Sequence, residues 1–183
     1  MKAFLFGVAV GRNVKCFGTI HLLRAPQSTI RLGNNVTNVS NSPRCTSGSL
    51  YAPTKLQTHT PSACIIIDDD VGLNGTSVTA RSRTIRIGKG SMIAPNVVIM
   101  DSDFHALWPP ETRIRNPAVE RDVDVTIGEH VWIASGCIIL KGVTIGDNSV
   151  VAAGSVVTSD IPPDVLVGGT PARVIRRLDD DAI

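Results

Sequence analysis

One histidine stands where a regular sequence pattern stops, close to two acidic residues. Residues 101–105 read Asp-Ser-Asp-Phe-His, and a Pro-rich stretch follows at once. Imidazole is the side chain whose ordinary pKa lies near neutral pH, so a positioned histidine can act as a general base. Asp101 and Asp103 could orient that imidazole, or they could be solvated loop acids. From these residues alone, His105 is either a catalytic base or an ordinary surface histidine.

The other three histidines are weaker candidates for chemistry. His21 and His59 lie in polar surroundings without a regular pattern. His130 occupies a place that Gly or Asn fills in neighbouring repeats, which favours a structural role. Asp103, by contrast, takes a repeat position that is usually small and inward-facing. A carboxylate is costly to bury there, which favours a function for it.

A six-residue repeat must position these side chains. From Ile127 the chain reads IGEHVW, IASGCI, ILKGVT, IGDNSV, VAAGSV and VTSDIP, always beginning with Ile or Val. The fifth place is mostly small or β-branched, as an inward corner position requires. Three such faces close a coil of about 18 residues, so the repeat predicts a parallel β-helix. The fourth place predicts left-handed corners, because its residues tolerate positive φ; they are His130, Gly136, Gly142, Asn148, Gly154 and Asp160.

The repeat also sets the expected organisation of the chain, which is a single all-β domain. Its predicted parts are irregular N-terminal coils or loop over 1–64, regular coils over 65–167, and a C-terminal segment over 168–183.

Two stretches depart from the repeat. The stretch 105–126 is rich in proline, which excludes central strands, so it is predicted to form a loop extruded from the solenoid. Thr170 and Pro171 are typical of a helix N-cap and first turn. We therefore expect a short C-terminal helix from Pro171 to about Leu178, followed by a solvated tail.

Composition limits the class of protein. The 183 residues carry a formal net charge of +2, which gives no reason to expect nucleic acid or an anionic membrane as a partner. The four cysteines have no paired or metal-type spacing, which is typical of a reduced, cytoplasmic protein, and Cys137 is expected in the core. The apolar start, Ala3 to Val10, is too short for a membrane span and is expected to be a strand or coil cap.

These residues resemble the hexapeptide-repeat acyltransferases, whose fold is a left-handed parallel β-helix. The stretch from Ile127 to Leu178 is similar to the C-terminal half of the galactoside, maltose and capsular or O-antigen sugar O-acetyltransferases, and the resemblance begins near Ile65. It implies acetyl-CoA as cosubstrate, no metal, a sugar-type acceptor, and a homotrimer with active sites between subunits. In this family a histidine of the extruded-loop region is the general base, and that place falls on His105.

The resemblance implies further site residues. An acceptor-binding asparagine falls on Asn74. From the residue types, and not from the resemblance, Asp101 and Asp103 could hold the acceptor or orient His105, and Trp108 could stack on a sugar or pin the loop to a neighbouring subunit. The CoA groove maps onto the following residues: Trp132, Ser135, Ala153 and Thr158, with Arg173 and Arg176 near the nucleotide.

The coenzyme site also departs from the family pattern at one position. Ser159 stands where the family commonly has lysine, so Lys141 or Arg177 would have to replace that contact. Backbone N–H groups at Ser135 and Gly136 are the predicted donors to a thioester oxyanion, although this segment could also be a plain corner.

The predicted function is acetyl-CoA-dependent O-acetylation of a sugar or polysaccharide-precursor hydroxyl. An amino-sugar N-acetyltransferase of the same fold stays open as an alternative. A γ-type carbonic anhydrase needs three zinc-binding histidines, two of them close together, whereas His105 and His130 are well separated in the sequence. A non-catalytic scaffold is disfavoured because DSDFH, VWIASG and GTPARVIR occur together.

Overall fold

The branched aliphatic residues of the repeat form short strands, because β-branched side chains suit a pleated, half-buried surface. The structure is a computed structural model that describes residues 7–45 and 48–178. The strands of this described part are β1 (Ala9–Val10), β2 (Lys15–Gly18), β3 (Ile20–Leu23), β4 (Thr29–Leu32), β5 (Thr37–Ser40), β6 (Thr54–Thr58), β7 (Cys64–Ile67), β8 (Gly72–Asn74), β9 (Ser77–Ala80), β10 (Thr84–Ile87), β11 (Met92–Ile93), β12 (Val98–Met100), β13 (Val125–Ile127), β14 (Trp132–Ile133), β15 (Ile138–Ile139), β16 (Thr144–Ile145), β17 (Val150–Val151), β18 (Val156–Val157), β19 (Val165–Gly169) and β20 (Ala172–Arg177). Three short 3-10 helices are η1 (Ser42–Arg44), η2 (Pro110–Thr112) and η3 (Val119–Arg121).

The strands form three sheets that make the sides of a prism. Sheet A has the order β1-β4-β7-β10-β13-β16, sheet B the order β2-β5-β8-β11-β14-β17-β19-β20, and sheet C the order β18-β15-β12-β9-β6-β3. Neighbouring strands are parallel except for the final pair, β19 and β20. The predicted parallel β-helix is therefore confirmed.

The register confirms the length of a coil. Ile127 pairs with Ile145, and Ile139 pairs with Val157, so the chain returns to the same sheet after every three blocks of the repeat. Most predicted corner residues have positive φ, between 54° at His130 and 76° at Gly142. The prediction for Asp160 is wrong, because the last left-handed corner is Asp164 (φ 59°). Asp160 instead accepts a hydrogen bond from the Thr144 N–H at 2.7 Å.

The first and fifth places of the repeat fill the interior. From Ile127 to Val157 every residue at the first place is at most 1% exposed, and the fifth-place residues up to Ser155 are equally buried. Cys137 is a core residue, as predicted, and burial raises the pKa of its thiol. All four cysteines are free thiols.

The N-terminal part is more regular than its sequence indicates. β6 lies inside a Ser/Thr/Pro-rich stretch and pairs with β3 and β9 in sheet C. Thr54 and Thr58 face inward beside Leu56, and all three are buried. The Thr58 hydroxyl is hydrogen-bonded to the Ser28 hydroxyl at 2.6 Å, so it has a polar partner in the interior. Inward threonines hide the apolar period of this coil, which is why its sequence pattern predicts only a loop or irregular coils.

The predicted C-terminal helix is wrong. Residues Ala172–Arg177 form β20, which pairs antiparallel with β19 through Gly169↔Ala172 and Leu166↔Arg176. Gly169 has a φ of 102° and allows the tight reversal between the strands. The hairpin satisfies the backbone groups along the edge of sheet B, and this outweighs the local helix signal at Thr170 and Pro171.

Two expectations reach beyond the described residues. The apolar start is a strand at Ala9–Val10, but residues 3–6 lie outside the described part of the chain, as does the tail from residue 179. No helix in the described ranges is long and apolar enough to cross a membrane.

The extruded loop is present. Ile87 of β10 pairs with Ile127 of β13, whereas a coil of regular length would return to sheet A at His105. The strand pattern resumes at Val125, just before the first firm repeat block. The insertion therefore lies between β12 and β13, where sheet C gives way to sheet A.

Close stacking of the coils makes a testable prediction at Gly88. A Cβ at this position would press on the Gly128 carbonyl of the next coil, whereas a Cβ at Gly72 would have no neighbour within 4 Å. Overpacking against backbone costs about 1–3 kcal/mol, so Gly88→Ala is expected to lower the free energy of unfolding by that amount. Gly72→Ala should change it by less than about 0.5 kcal/mol. Urea unfolding measures the loss of stability in both variants. Equal losses would contradict the expectation that close backbone contact between coils excludes a side chain at Gly88.

Candidate functional site

A buried ion pair closes the base of the extruded loop. The Arg81 guanidinium donates to both carboxylate oxygens of Asp122, at 2.8 and 2.6 Å, and also to the Pro117 carbonyl. The Ser82 hydroxyl donates to Asp122 at 2.5 Å. Arg81 and Asp122 are 5% and 3% exposed. The pair joins sheet C to the end of the insertion, and its bidentate geometry fixes the direction in which the chain returns.

The environment of Asp122 favours its charged form. Burial alone would raise the pKa of this carboxyl, but hydrogen bonds from Arg81, Ser82 and Ser102, together with the positive charge of Arg81, lower it overall. Asp122 is therefore a stable anion at neutral pH and holds Arg81 in place.

Asp101 has a structural role in place of the predicted acceptor-binding or His-orienting one. Its carboxylate accepts the backbone N–H groups of Arg81, Ser82 and Arg83 at 2.7, 3.1 and 2.8 Å. The side chain is fully buried, and both oxygens are engaged with this backbone. Asp101 thus holds the start of the loop against the preceding coil.

Asp103 and Lys141 form a second tie at the loop base. Asp103 is not inward-facing, as its repeat place suggested, but exposed, and its carboxylate pairs with the Lys141 ammonium. Lys141 also donates to the Arg121 carbonyl at 3.0 Å, so it links both ends of the insertion. Whether Lys141 replaces the family lysine that is absent at Ser159 stays a prediction.

A backbone carbonyl orients His105. Nδ1 of its imidazole lies 2.9 Å from the Arg113 carbonyl oxygen. A carbonyl can only accept, so Nδ1 carries a proton, and in the neutral imidazole Nε2 is then the nitrogen with the lone pair. The ring is exposed, which leaves Nε2 accessible. Neither Asp101 nor Asp103 supplies this orientation, and no residue-type signal in the sequence could have identified a main-chain carbonyl.

Phe104 fixes the backbone that carries His105. Its φ is 64°, an unusual conformation for an aromatic residue, and its N–H donates to the Ser102 hydroxyl at 2.7 Å. The ring packs edge-on against His59 with centroids 5.9 Å apart, and the Arg81 guanidinium lies 5.7 Å from its centre. His59 and Phe104 therefore support the site, although their sequence surroundings gave no indication of it.

A groove of about 310 Å³ lies along the carboxyl edge of sheet B. Three predicted site residues, Asn74, Trp132 and Ser135, line it together with Met92, Ile93, Ala94, Pro95 and Ala134. Met92 and Trp132 are register neighbours and are 56% and 47% exposed. The groove therefore offers an apolar wall beside a few polar groups, which is typical of a small-molecule site.

The polar atoms of this groove have defined roles. Asn74 donates its side-chain N–H to the Ile93 carbonyl at 3.0 Å, which assigns the amide orientation. Its Oδ1 accepts no hydrogen bond from a described residue. The Gly136 N–H donates to the Pro95 carbonyl at 2.9 Å, so it is not an oxyanion donor. The Ser135 N–H has no partner among the described residues.

Other residues that were predicted to bind CoA lie further along the same sheet. Ala153 lies one coil beyond Ser135, whose carbonyl accepts the Gly154 N–H at 2.9 Å. Trp132, Val150, Leu166 and Arg176 form one lateral row across sheet B. Arg173 pairs with Gly168, two residues further along β19 than Leu166. Both arginines are exposed on β20, so the hairpin carries positive charge at the end of the groove's sheet.

The predicted site residues separate into two groups. Asn74, Trp132, Ser135 and Ala153 belong to the carboxyl edge of sheet B. His105 and Trp108 lie in the insertion that leaves the carboxyl edge of sheet C, and Thr158 follows β18 at that same edge. Sheet C separates the two edges within one chain.

The described coils form a parallel β-helix built on a six-residue repeat. Residues 124–159 match the family model described as Bacterial transferase hexapeptide (six repeats). The chain is also similar to named acetyltransferases. It is 45% identical over 97 residues to the galactoside O-acetyltransferase of Escherichia coli K12, covering 53% of this chain and 46% of that relative. The chain thus spans about half the length of this curated relative.

Solved structures extend the similarity to nearly the whole chain. A galactoside acetyltransferase in complex with coenzyme A superposes with a TM-score of 0.60 at 29% identity, covering 94% of this chain and 66% of that one. A maltose O-acetyltransferase from Clostridium difficile 630 has a TM-score of 0.58 at 27% identity, covering 97% and 74%. The predicted resemblance to hexapeptide-repeat acyltransferases and the left-handed β-helix are confirmed. Within residues 7–45 and 48–178, no group of three or more His, Cys, Asp or Glu is arranged to hold a metal ion.

The ion pair at the loop base makes a stability prediction. Asp122→Asn leaves the Arg81 guanidinium buried without its counter-charge, and removing one partner of a buried pair costs about 3–5 kcal/mol. We expect the free energy of unfolding at pH 7, measured with urea, to fall by that order. The matched control is Asp124→Asn, because Asp124 is exposed and its acceptance of the Thr84 N–H can be kept by an amide.

The lowered pKa of Asp122 determines how the difference in unfolding free energy between wild type and Asp122→Asn depends on pH. The stabilisation is complete above the ordinary carboxyl pKa of about 4. It is lost as the pH falls further, because the unfolded chain takes up the proton first. The gap between wild type and Asp122→Asn should therefore narrow as unfolding is measured from pH 7 down to about pH 3. A gap that stays constant over this range would contradict a role for the charge.

Proposed function

We propose that this protein is an acetyl-CoA-dependent O-acetyltransferase that modifies a hydroxyl of a sugar or polysaccharide precursor. The observation that carries the proposal is the hydrogen bond between His105 Nδ1 and the Arg113 carbonyl, which leaves Nε2 as a basic, accessible nitrogen. The names of the similar proteins support the reaction class, since they are galactoside and maltose O-acetyltransferases. The four free thiols fit a reducing compartment, and we place the enzyme in the cytoplasm.

In the proposed reaction His105 is the general base. Its Nε2 takes the proton of the acceptor hydroxyl as that oxygen bonds to the thioester carbonyl carbon. The carbon–sulfur bond then breaks, and the proton passes to the departing thiolate of CoA. The Ser135 N–H would donate to the oxyanion formed in between, and such a donor contributes about 10²- to 10³-fold in rate. Asn74 Oδ1 would accept a hydrogen bond from an acceptor hydroxyl.

The groove suits the donor substrate. Trp132 and Ser135 would flank the reactive end of acetyl-CoA. Ala134 and Ala152 occupy equivalent positions in adjacent coils, and their small side chains would leave room for the pantetheine arm. Arg173 and Arg176 would meet the phosphates, because guanidinium groups bind phosphate oxygens well. Ser159 cannot supply the charge of the family lysine, so these arginines carry more of that role.

We further propose that the active unit is a homotrimer with each site shared by two subunits. His105 and the groove lie at the carboxyl edges of different sheets, which supports a site completed by a second chain. A neighbouring subunit that presents its insertion to the groove would complete the site, with Thr158 and Trp108 contributed from the same side as His105. A closed ring of three copies makes three equivalent sites of this kind.

The role of His105 is tested by substitution. His105→Ala is expected to lower kcat/KM by about 10²- to 10⁴-fold, because a placed general base contributes that much. The matched control is His130→Asn: His130 sits at a left-handed corner (φ 54°), and Asn148 occupies the equivalent corner (φ 59°), so activity should be kept. The assay is thiol release from acetyl-CoA with sugars, nucleotide-linked sugars and amino sugars as acceptors. Unchanged turnover in His105→Ala, or acetylation of amino sugars alone, would overturn the proposal.

Shared sites are tested by mixing two impaired variants. His105→Ala and Asn74→Ala chains carrying different tags are co-expressed, and trimers bearing both tags are purified. Either mixed composition contains one intact site of the three, so about a third of wild-type activity should return. If the mixed trimers show only the weighted mean of the two separate variants, the base and the groove act within one chain.

A further inference from the structure

A second, smaller insertion lies beside the groove and is not used by the proposed chemistry. It runs from residue 41 to 53, between β5 and β6, and is described except for residues 46 and 47. Its 3-10 helix η1 is attached to β2, because the Arg44 guanidinium lies 4.1 Å from the centre of the Phe17 ring. The Ser42 hydroxyl accepts the Leu50 N–H at 3.0 Å, so the two ends of this insertion are tied together.

The insertion is fastened to the corner that bounds the groove. The Tyr51 N–H donates to Asn96 Oδ1 at 2.9 Å, and the Asn96 side-chain N–H donates to the Ser49 carbonyl at 3.1 Å. Leu50 packs on Gly75, since a Cβ there would lie 2.9 Å from its Cδ2. Pro95 and Asn74 line the groove, and they directly precede Asn96 and Gly75 in the chain. The insertion that carries Tyr51 is therefore fixed to residues directly adjacent to the groove.

The Tyr51 side chain nevertheless extends into solvent. It is 91% exposed, whereas its main chain is pinned by the Asn96 amide. Among the described residues, its ring has no aromatic partner and its hydroxyl no hydrogen bond. A rigid backbone that holds a large amphipathic ring in water is typical of a recognition element, because such a ring contributes contact area at low entropic cost.

We propose that Tyr51 selects the acceptor by packing its ring on the apolar face of the sugar. Asn74 would accept a hydrogen bond from a hydroxyl of the same sugar, so the two side chains would read its C–H face and its polar edge. The inference deepens the proposed function and rests on it. It names the acceptor class as a ring with one exposed C–H face, such as a pyranose, and excludes linear or purely anionic acceptors as preferred substrates.

Steady-state kinetics with a pyranose acceptor tests this assignment. Tyr51→Ala is expected to raise the KM for the acceptor about 3- to 10-fold, while kcat and the KM for acetyl-CoA stay unchanged. Tyr51→Phe keeps the ring and should retain the wild-type KM. Leu23→Ala, at an exposed apolar residue on β3 of sheet C, is the control for general surface effects. An unchanged acceptor KM in Tyr51→Ala would overturn the assignment.

Two further measurements distinguish failure of the Tyr51 assignment from failure of the proposed acetyl transfer. The mass of each variant in solution is determined by light scattering, and a changed assembly in Tyr51→Ala would make Tyr51 an interface residue, which also overturns the assignment. Sugar binding is measured by calorimetry on wild type and Tyr51→Ala. If wild type binds pyranoses through Tyr51 but releases no thiol, the proposed reaction fails and the recognition role stands. If both proteins bind equally, the recognition role fails whatever the turnover.

Discussion

The buried ion pair between Arg81 and Asp122 is the constraint on which the site depends. A β-helix tolerates a long insertion only if the chain leaves and rejoins the solenoid in register, and here the ladder continues at Val125 without a shift. Charges buried this deeply are unfavourable unless every polar atom is paired. Arg81 meets this condition with Asp122 and the Pro117 carbonyl, and Asp101 binds the backbone around Arg81. The regular coils therefore stay regular because the irregular part is anchored by charge.

The same cluster extends to the candidate base through a short series of contacts. The Arg81 guanidinium faces the Phe104 ring, Phe104 holds a left-handed backbone conformation, and His105 follows it directly. From the other side, the Arg113 carbonyl fixes the imidazole ring. Arg113 itself donates to the Leu107 carbonyl at 2.9 Å, so the insertion braces its own histidine. An exposed histidine on a long loop would otherwise sample many rotamers, and these contacts restrict it.

Predictions from the sequence agree with the structure where the type of a residue matches its burial. Apart from Asp103, the first and fifth places of the repeat are inward in the regular coils, so their residue types were sufficient to predict the β-helix and its coil length. The sequence pattern fails at β6, because the inward residues Thr54 and Thr58 are polar. The helix predicted near the C-terminus is also wrong, because pairing of β20 with β19 overrides the local helix signal. The resemblance assigned Asn74, Trp132 and Ser135 to one site, and all three line the groove; the role of His105 stays a prediction. The Arg113 carbonyl and the Asp101 backbone contacts were not identifiable from the sequence, because main-chain partners depend on tertiary geometry.

The division between coils and insertions has a consequence for specificity. The groove of Trp132 and Ser135 is made of repeat residues, and each of these positions must also satisfy the stacking of adjacent coils. The main chain that carries them is fixed by the ladder between adjacent coils, so the position of this wall can vary little. The two insertions, at residues 41–53 and between β12 and β13, are free of that requirement because their ends are fixed by side-chain contacts. In the proposed trimer they meet at the acceptor, one from each subunit. Acceptor choice can then change through Tyr51 or Trp108 while the donor groove and the orientation of His105 stay intact.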